Sequence, residues 1–399
     1  MIKIHKTYIT TLLASVLFLS SCGKDKYKLV NPQEDVQIGV PVDEVEEFVH
    51  PGILHDVDDL NRIKQVVAEE KQPGMGSYLL LKAQAAASST YNVRGPFERI
   101  ARDGADGNTK NAFEQDFNAA YYNALMWVIT EDEAHAKKAI EIINAYSSTL
   151  KEITGTNDNA LLAGLSGFHI VNAAEIMRYT YDEWDATDIQ KCEEMLRNVF
   201  VKELTVFFGR EAYTNGNWGA AAIKTMMALG VFLNDTAIFN NAVKFFYTGN
   251  DNGTLRNYIV TSEGQAQESG RDQPHTMLGI GSLAESCEIG FKQGLDMYEF
   301  LDNRLLAGFE YTAAYNLGHS VPYIQWTDIT GKYSNWKTIS AIGRGEFRPV
   351  FEIAYNAYVV RKNLSMPFTE LVLDRIRPEG ASPYNDNVGF GTLLFYSGE

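Results

Sequence analysis

From Pro51 onward the chain is a succession of helix-period apolar segments, separated only by short breaks of Asp, Asn, Gly and Thr. That pattern leaves little room for anything but helix packed on helix. In NAFEQDFNAAYYNALMWVIT, Phe113, Phe117, Tyr121 and Leu125 fall four apart, the stripe of a packed helix. EDEAHAKKAIEIINAYSSTL follows, with acidic residues in its first turn. Then come DNALLAGLSGFHIVNAAEIMRYT, DATDIQKCEEMLRNVFVKELTVFF, NWGAAAIKTMMALGVFLND and DTAIFNNAVKFFYT, the segment after QESGRDQPH, and LDMYEFLDNRLLAGFEYTAAYNL. No two-residue alternation runs long enough for a large sheet, although short strands are expected near NYIVT and in NVGFGTLLFYSG. No fixed repeat period is present, which argues against a regular solenoid. The expected fold is all-α: antiparallel helical hairpins in an α/α toroid, whose inner helices surround a cleft.

The first residues have a different character. MIKIHKTYITTLLASVLFLSSC has a basic start (Lys3, Lys6), an apolar stretch from Leu12 to Leu19 and small residues before Cys22, which reads as a secretory signal peptide over residues 1–21. Leu19-Ser20-Ser21-Cys22 resembles a bacterial lipobox, which makes Cys22 the expected lipidation site. The apolar run is shorter than the ~20 residues of a spanning helix, and no later spanning segment is expected. Residues 22–49 are polar and aperiodic, as a tether is. A single domain over 50–399 is therefore expected to work as a monomer in water, exported and anchored at the outer membrane on its periplasmic or surface side.

Cys192 and Cys287 sit inside helical patterns and read as small buried hydrophobes, with neither a disulfide framework nor zinc spacing. The formal charge is −16, and loss of Lys3 and Lys6 with the signal peptide carries it to −18. That balance argues against nucleic acid. A polyanionic substrate would need a locally basic cleft.

Chemistry-bearing residues gather in three places. On a helix, Glu268 reaches Arg271 and Asp272, and Arg271 reaches His275, so one face carries carboxylate, guanidinium and imidazole. Pro274 suits a first helical turn, so the helix is expected to begin near Arg271 and Asp272, with Gln273 beside them. There, unpaired backbone N–H groups favour anions. A capping network with a surface ion pair would use the same residues. In YTNGNWGAAAIKTMM, Asn215 and Asn217 flank Gly216 ahead of Trp218. One Asn can cap the helix, while an indole with a second amide suits a sugar-binding rim. The third place, from GLDMYEF to KYSNW, is rich in aromatics: Tyr298, Tyr311, Tyr315, His319, Tyr323 and Trp326, with Tyr298 on one stripe with Leu301 and Leu305. His135 is expected in solvent and His169 in the core. No HExxH, GxSxG or phosphate-cradling loop occurs.

HPGILHDVDDLNRIKQVV, NGNWGAAAIKTMMALGVFLND and ESGRDQPHTMLGIGSLAESCEIGFKQGLDMYEFLDNRLLAGFEYTAAYNLGHSVPY together resemble the alginate-lyase domain family of helical-toroid polysaccharide lyases, over roughly residues 50 to 325. The resemblance implies that the toroid is incomplete, and it implies β-elimination on a uronic-acid polysaccharide, alginate before glucuronan, with no cofactor or metal. The small alginate lyases of this fold carry an Asn-Asn-His turn before a Trp, and an Arg followed seven residues later by a catalytic Tyr. Trp218 and Arg271 match, but the turn lacks its His and the seventh residue is Leu278, which cannot transfer a proton. This chain resembles a neighbouring branch whose base stands elsewhere.

Elimination needs donors for the dianionic enolate that forms as C5 loses its proton, and an acid for the leaving O4. Tyr298 is the expected base and acid, with Arg271 on the substrate carboxylate and His275 and Asn217 as donors. Asn215, Trp218, Glu268, Gln273 and Tyr315 are expected to bind substrate. Two other readings fit the same sequence: a non-catalytic glycan-binding surface lipoprotein, and an α/α-barrel glycoside hydrolase using Glu268 and Asp272 as its carboxylate pair.

Overall fold

The computed structural model describes residues 44–156 and 158–398. The expected signal peptide, the expected lipidation site Cys22 and all but the end of the expected tether lie outside the described residues.

The breaks in the sequence are helix caps. Asp56, Asp132, Asp185, Asp235 and Asp272 each precede a helix and accept a hydrogen bond from a backbone N–H of its first turn. Four of the resulting helices form the interior. Lys110–Thr130 packs on Asn159–Thr180, which packs on Gly216–Phe232, which packs on Gln273–Lys292. Every residue of Gly216–Phe232 is buried, as is every residue from Ala160 to Met177. More amphipathic helices cover this row: Glu133–Thr149 on the first, Thr236–Thr248 on the third and Phe300–Asn316 on the fourth. Phe113, Phe117, Tyr121 and Leu125 are all buried, as their spacing predicts.

Asn159–Thr180 is long and apolar enough to cross a membrane, a property not anticipated from the sequence, yet its apolar window is wholly buried within the protein. It is a core helix. Lys224, fully buried on Gly216–Phe232, donates to Glu285 Oε2 (2.6 Å) on Gln273–Lys292 and to the Asp386 carbonyl (3.2 Å), and lies over the Phe168 ring. The ion pair thus joins three inner helices to a C-terminal segment. Cys192 and Cys287 are buried free thiols, and His169 is buried with Nδ1 3.1 Å from the Leu165 carbonyl.

Several local expectations need correction. The strands are Arg99–Ile100 and Glu152–Ile153, paired in parallel. NYIVT contributes only a single antiparallel bridge, Ile259 to Ala266, and the tail forms the short helix Gly391–Leu394. His135 is not free in solvent: its Nδ1 lies 2.7 Å from Asn123 Oδ1, and partial burial lowers its pKa. The stripe drawn through Tyr298, Leu301 and Leu305 does not exist, because Leu301, Asp302 and Asn303 adopt left-handed backbone angles at the head of Phe300–Asn316.

Gly164 shows how tightly the row is packed. A Cβ there would lie 2.8 Å from the Ala221 carbonyl carbon on the neighbouring helix. Helix propensity favours Gly164→Ala by about 1 kcal/mol, whereas the backbone contact requires the helices to separate. Packing should prevail, with a net loss of about 1–3 kcal/mol in denaturant unfolding.

Candidate active site

The site is organised around one carboxylate. Glu268 is fully buried where Gly216–Phe232 and Gln273–Lys292 begin. It accepts from the backbone N–H of Asn217 (3.0 Å), from Asn217 Nδ2 (2.9 and 2.8 Å), from the Tyr258 hydroxyl (3.2 Å) and from Arg271 Nη1 (2.8 Å). One helix start and one guanidinium therefore share its charge. Arg271 also reaches His275, with Nη2 3.0 Å from Nε2. A guanidinium only donates, so Nε2 accepts and the imidazole proton sits on Nδ1. Nδ1 in turn lies 2.8 and 2.7 Å from the two oxygens of Asp272, the helix cap. Burial opposes ionisation of Asp272, but the hydrogen bonds from His275 outweigh it and hold the carboxyl below its ordinary pKa. Burial likewise opposes the Arg271 charge, and the contact with Glu268 outweighs it.

A helix-free stretch, residues 317–350, folds over this cluster. It can approach because residue 270 is glycine: a Cβ there would meet the Tyr323 hydroxyl at 2.4 Å and Trp336 Cβ at 2.6 Å. Within it, Asp328 Oδ1 accepts from the Tyr333 backbone N–H (2.7 Å), and Oδ2 accepts from Asn252 Nδ2 (2.8 Å). Asn252 also donates to the Tyr213 carbonyl (2.8 Å), so Tyr333 is tied to the core just ahead of Gly216–Phe232. Its hydroxyl donates to Asn215 Oδ1, and its ring lies against Trp336 with centroids 4.2 Å apart. Burial raises the Tyr333 pKa, while the nearby Arg271 charge acts against the rise. The phenol therefore holds its proton at neutral pH.

His275 opens onto a cavity of about 320 Å³, lined also by Leu278, Arg102, Arg348 and Tyr384. Arg102 Nε and Nη1 are buried and have no hydrogen-bond partner, although the carboxylate of Glu114 stands 3.7 Å from Nη1. His275 lies in the first turn of its helix, so the positive end of Gln273–Lys292 stands beside this cavity. A cationic group poised beside an imidazole lone pair and a protonated phenol can bind a carboxylate, take one proton and give another.

A family model described as alginate lyase matches residues 65–321. The chain belongs to the alginate lyase family, and it is a polysaccharide lyase. A search of curated proteins finds no match. Among solved structures, alginate lyase A1-III from Sphingomonas species A1 is similar at a TM-score of 0.63 and 11% identity, covering 85% of this chain and 95% of that one. A histidine-to-alanine variant of A1-III complexed with tetrasaccharide matches at 0.64 and 14%, covering 90% and 99%. An alginate lyase from Bacteroides ovatus matches at 0.59 and 13%, covering 88% and 100%.

In this lyase the expected site residues divide sharply. Arg271, His275, Asn215 and Asn217 come together, but Asn217 faces Glu268 from a fully buried position, and Asn215 receives the Tyr333 hydroxyl rather than capping its helix. Tyr298 does not join them. It is 1% exposed, and its hydroxyl donates to the Ala284 carbonyl (3.1 Å) and Glu288 (3.0 Å), so it is a core residue. Trp218 is no open rim either, since its indole stacks on Tyr213 with centroids 4.4 Å apart. Gln273 is buried and braces the covering stretch, donating to the Ser340 carbonyl and accepting from Asn316. Tyr315 is buried under the Arg344 guanidinium. Glu268 is fully buried and its oxygens are saturated by donors; with Asp272 held by His275, the carboxylate pair a hydrolase would need is already engaged.

Tyr333 and Arg102 were missed from the sequence. The signal for Tyr333 was the stretch around TDITGKYSNW, too long and too aromatic for a plain connection, since such loops are usually functional. Arg102 carried no signal, being one basic residue in a loop. Glu268→Gln should cost about 3–5 kcal/mol in chemical denaturation, because one oxygen becomes a donor facing donors and Arg271 loses its counter-charge. Unchanged stability would show that the carboxylate is not the organiser described here.

Proposed function

We propose that this lyase cleaves a uronic-acid polymer, alginate first and glucuronan next, by β-elimination that leaves a 4,5-unsaturated uronate end. The observation that carries this reading is Arg271 held between Glu268 and His275 with the Tyr333 phenol nearby. In support, a structurally similar alginate lyase holds a tetrasaccharide. On this reading Arg271 turns its Nη2 onto the substrate carboxylate and frees His275 Nε2. The imidazole, with Nδ1 bonded to Asp272, takes the C5 proton. Arg271 steadies the charge that spreads onto the carboxylate as the C4–C5 double bond forms. Tyr333 gives its proton to O4 as the C4–O4 bond breaks. The imidazolium and phenolate left behind are reset by passing one proton from the first to the second through solvent. No cofactor is assigned a role.

We infer that the helices close as an incomplete α/α toroid of antiparallel hairpins, a single domain from about residue 50. It acts as a monomer, exported, lipidated at Cys22 and held at the outer membrane on its periplasmic or surface side.

The test is a panel of mannuronate-rich and guluronate-rich alginate, glucuronan and hyaluronan, followed by the ultraviolet absorbance of the conjugated uronate. Tyr333→Phe keeps the ring and deletes the proton. It should lower kcat by about 10²–10⁴-fold on the preferred polymer with little change in Tm. Activity within a few-fold of the parent would remove Tyr333 from the chemistry, and no absorbance on any uronan would remove the lyase assignment to these polymers.

A further inference from the structure

The cavity at His275 does not end the groove. A second cavity, of about 550 Å³, is lined by Arg94, Lys110, Glu114, Gln115 and Asn118, with two cations to one carboxylate, and both cavities share one residue, Tyr384. This tyrosine stands out in two ways. It is 75% exposed, and its backbone sits in the left-handed region at φ 63°, with Asn385 beside it at φ 58°. A bulky residue holds that conformation only where its surroundings impose it.

The surroundings do impose it. Arg348 places its guanidinium 5.0 Å from the centre of the Tyr384 ring, donates to the Pro383 carbonyl (3.1 Å) and pairs with Asp386 (3.2 Å). Asn118 donates to Asn385 Oδ1, and Lys224 to the Asp386 carbonyl. Asn387 donates to Glu285. The segment is fastened from beneath at successive residues while one aromatic ring is left in water. Apart from the Arg348 contact the ring is open to water, and it lies beyond residues 65–321, the stretch matched by the family model.

We propose that Tyr384 is a sugar platform. It carries the polymer from the His275 cavity into the Arg94–Lys110 cavity, so that uronate residues distant from the scissile bond contribute to binding. A pyranose face packs on an aromatic ring, the Arg348 cation supports the ring from its side, and Arg94 and Lys110 offer positive charge to a uronate carboxylate further along. The inference rests on the uronan reading above and adds a determinant of chain-length preference to it.

The experiment is calorimetric titration of alginate tri-, penta- and heptasaccharides into protein carrying Tyr333→Phe, which suppresses turnover, with and without Tyr384→Ala or Tyr384→Phe. Affinity should rise with chain length in the parent. Tyr384→Ala should flatten that rise, weakening the longest ligand roughly ten-fold, while Tyr384→Phe, which retains the ring, should restore it. The same length dependence in the alanine variant, at unchanged Tm, overturns the platform alone, because wild-type turnover would still stand. No binding at any length, with no wild-type turnover, overturns the uronan reading and the platform with it.

Discussion

A carboxylate with no access to water must be surrounded by donors, and Glu268 meets that requirement with groups from several parts of the chain. Asn217 supplies a backbone and a side-chain N–H, Tyr258 a hydroxyl and Arg271 the counter-charge. Because these donors sit on different elements, satisfying one buried group fixes how the Gly216–Phe232 helix meets the head of Gln273–Lys292. The site inherits its geometry from that constraint. Arg271 cannot move far from Glu268, His275 is one turn from Arg271, and Asp272 caps the helix while holding the imidazole tautomer. A structural debt and a catalytic arrangement are thus settled by the same contacts.

The charge balance poses a paradox for an anionic substrate that the fold resolves locally. A formal charge of −16 repels a polyuronate at long range. Yet Arg94, Lys110, Arg102 and Arg348 line two adjoining cavities, against the carboxylates of Glu114, Glu346 and Asp386, and Arg271 stands one turn from His275 at the edge of one of them. Close to the surface, within a screening length, these fixed charges outweigh the average. Net charge read from composition describes the whole molecule, whereas recognition happens in a region whose sign is set by which side chains are collected there.

The contrast between what the sequence made legible and what it hid follows from distance along the chain. The stripe of Phe113, Phe117, Tyr121 and Leu125, the Asp caps and the cluster from Glu268 to His275 are local patterns, written within a turn or two of helix. Family resemblance placed Arg271 within the chemistry. The proton donor proposed here could not be reached that way, because Tyr333 meets Asn215 across 118 positions and depends on Asp328 and Asn252 to arrive there. Tyr298 failed for the complementary reason. Its spacing suits a helix face, but left-handed residues at 301–303 break that helix, and the tyrosine turns into the core toward Glu288.

The second buried ion pair extends the same logic to the far side of the groove. Lys224 and Glu285 sit on the two helices that Glu268 also joins, and both are inaccessible. Their remaining hydrogen-bonding capacity is directed at one target, the segment Asp386–Val388, through the Asp386 carbonyl, the Asn387 amide and the Val388 N–H. A lone pair of buried charges is weak support for stability, since apolar residues would fill the space at lower desolvation cost. What apolar residues could not do is grip a backbone. The pair is therefore best understood as an anchor: it fixes the segment that carries Tyr384 to the same two helices that carry Arg271 and His275. Tyr384 and the side chains proposed to react are then held to one frame, and the distance between them is set by helix packing rather than by loop conformation.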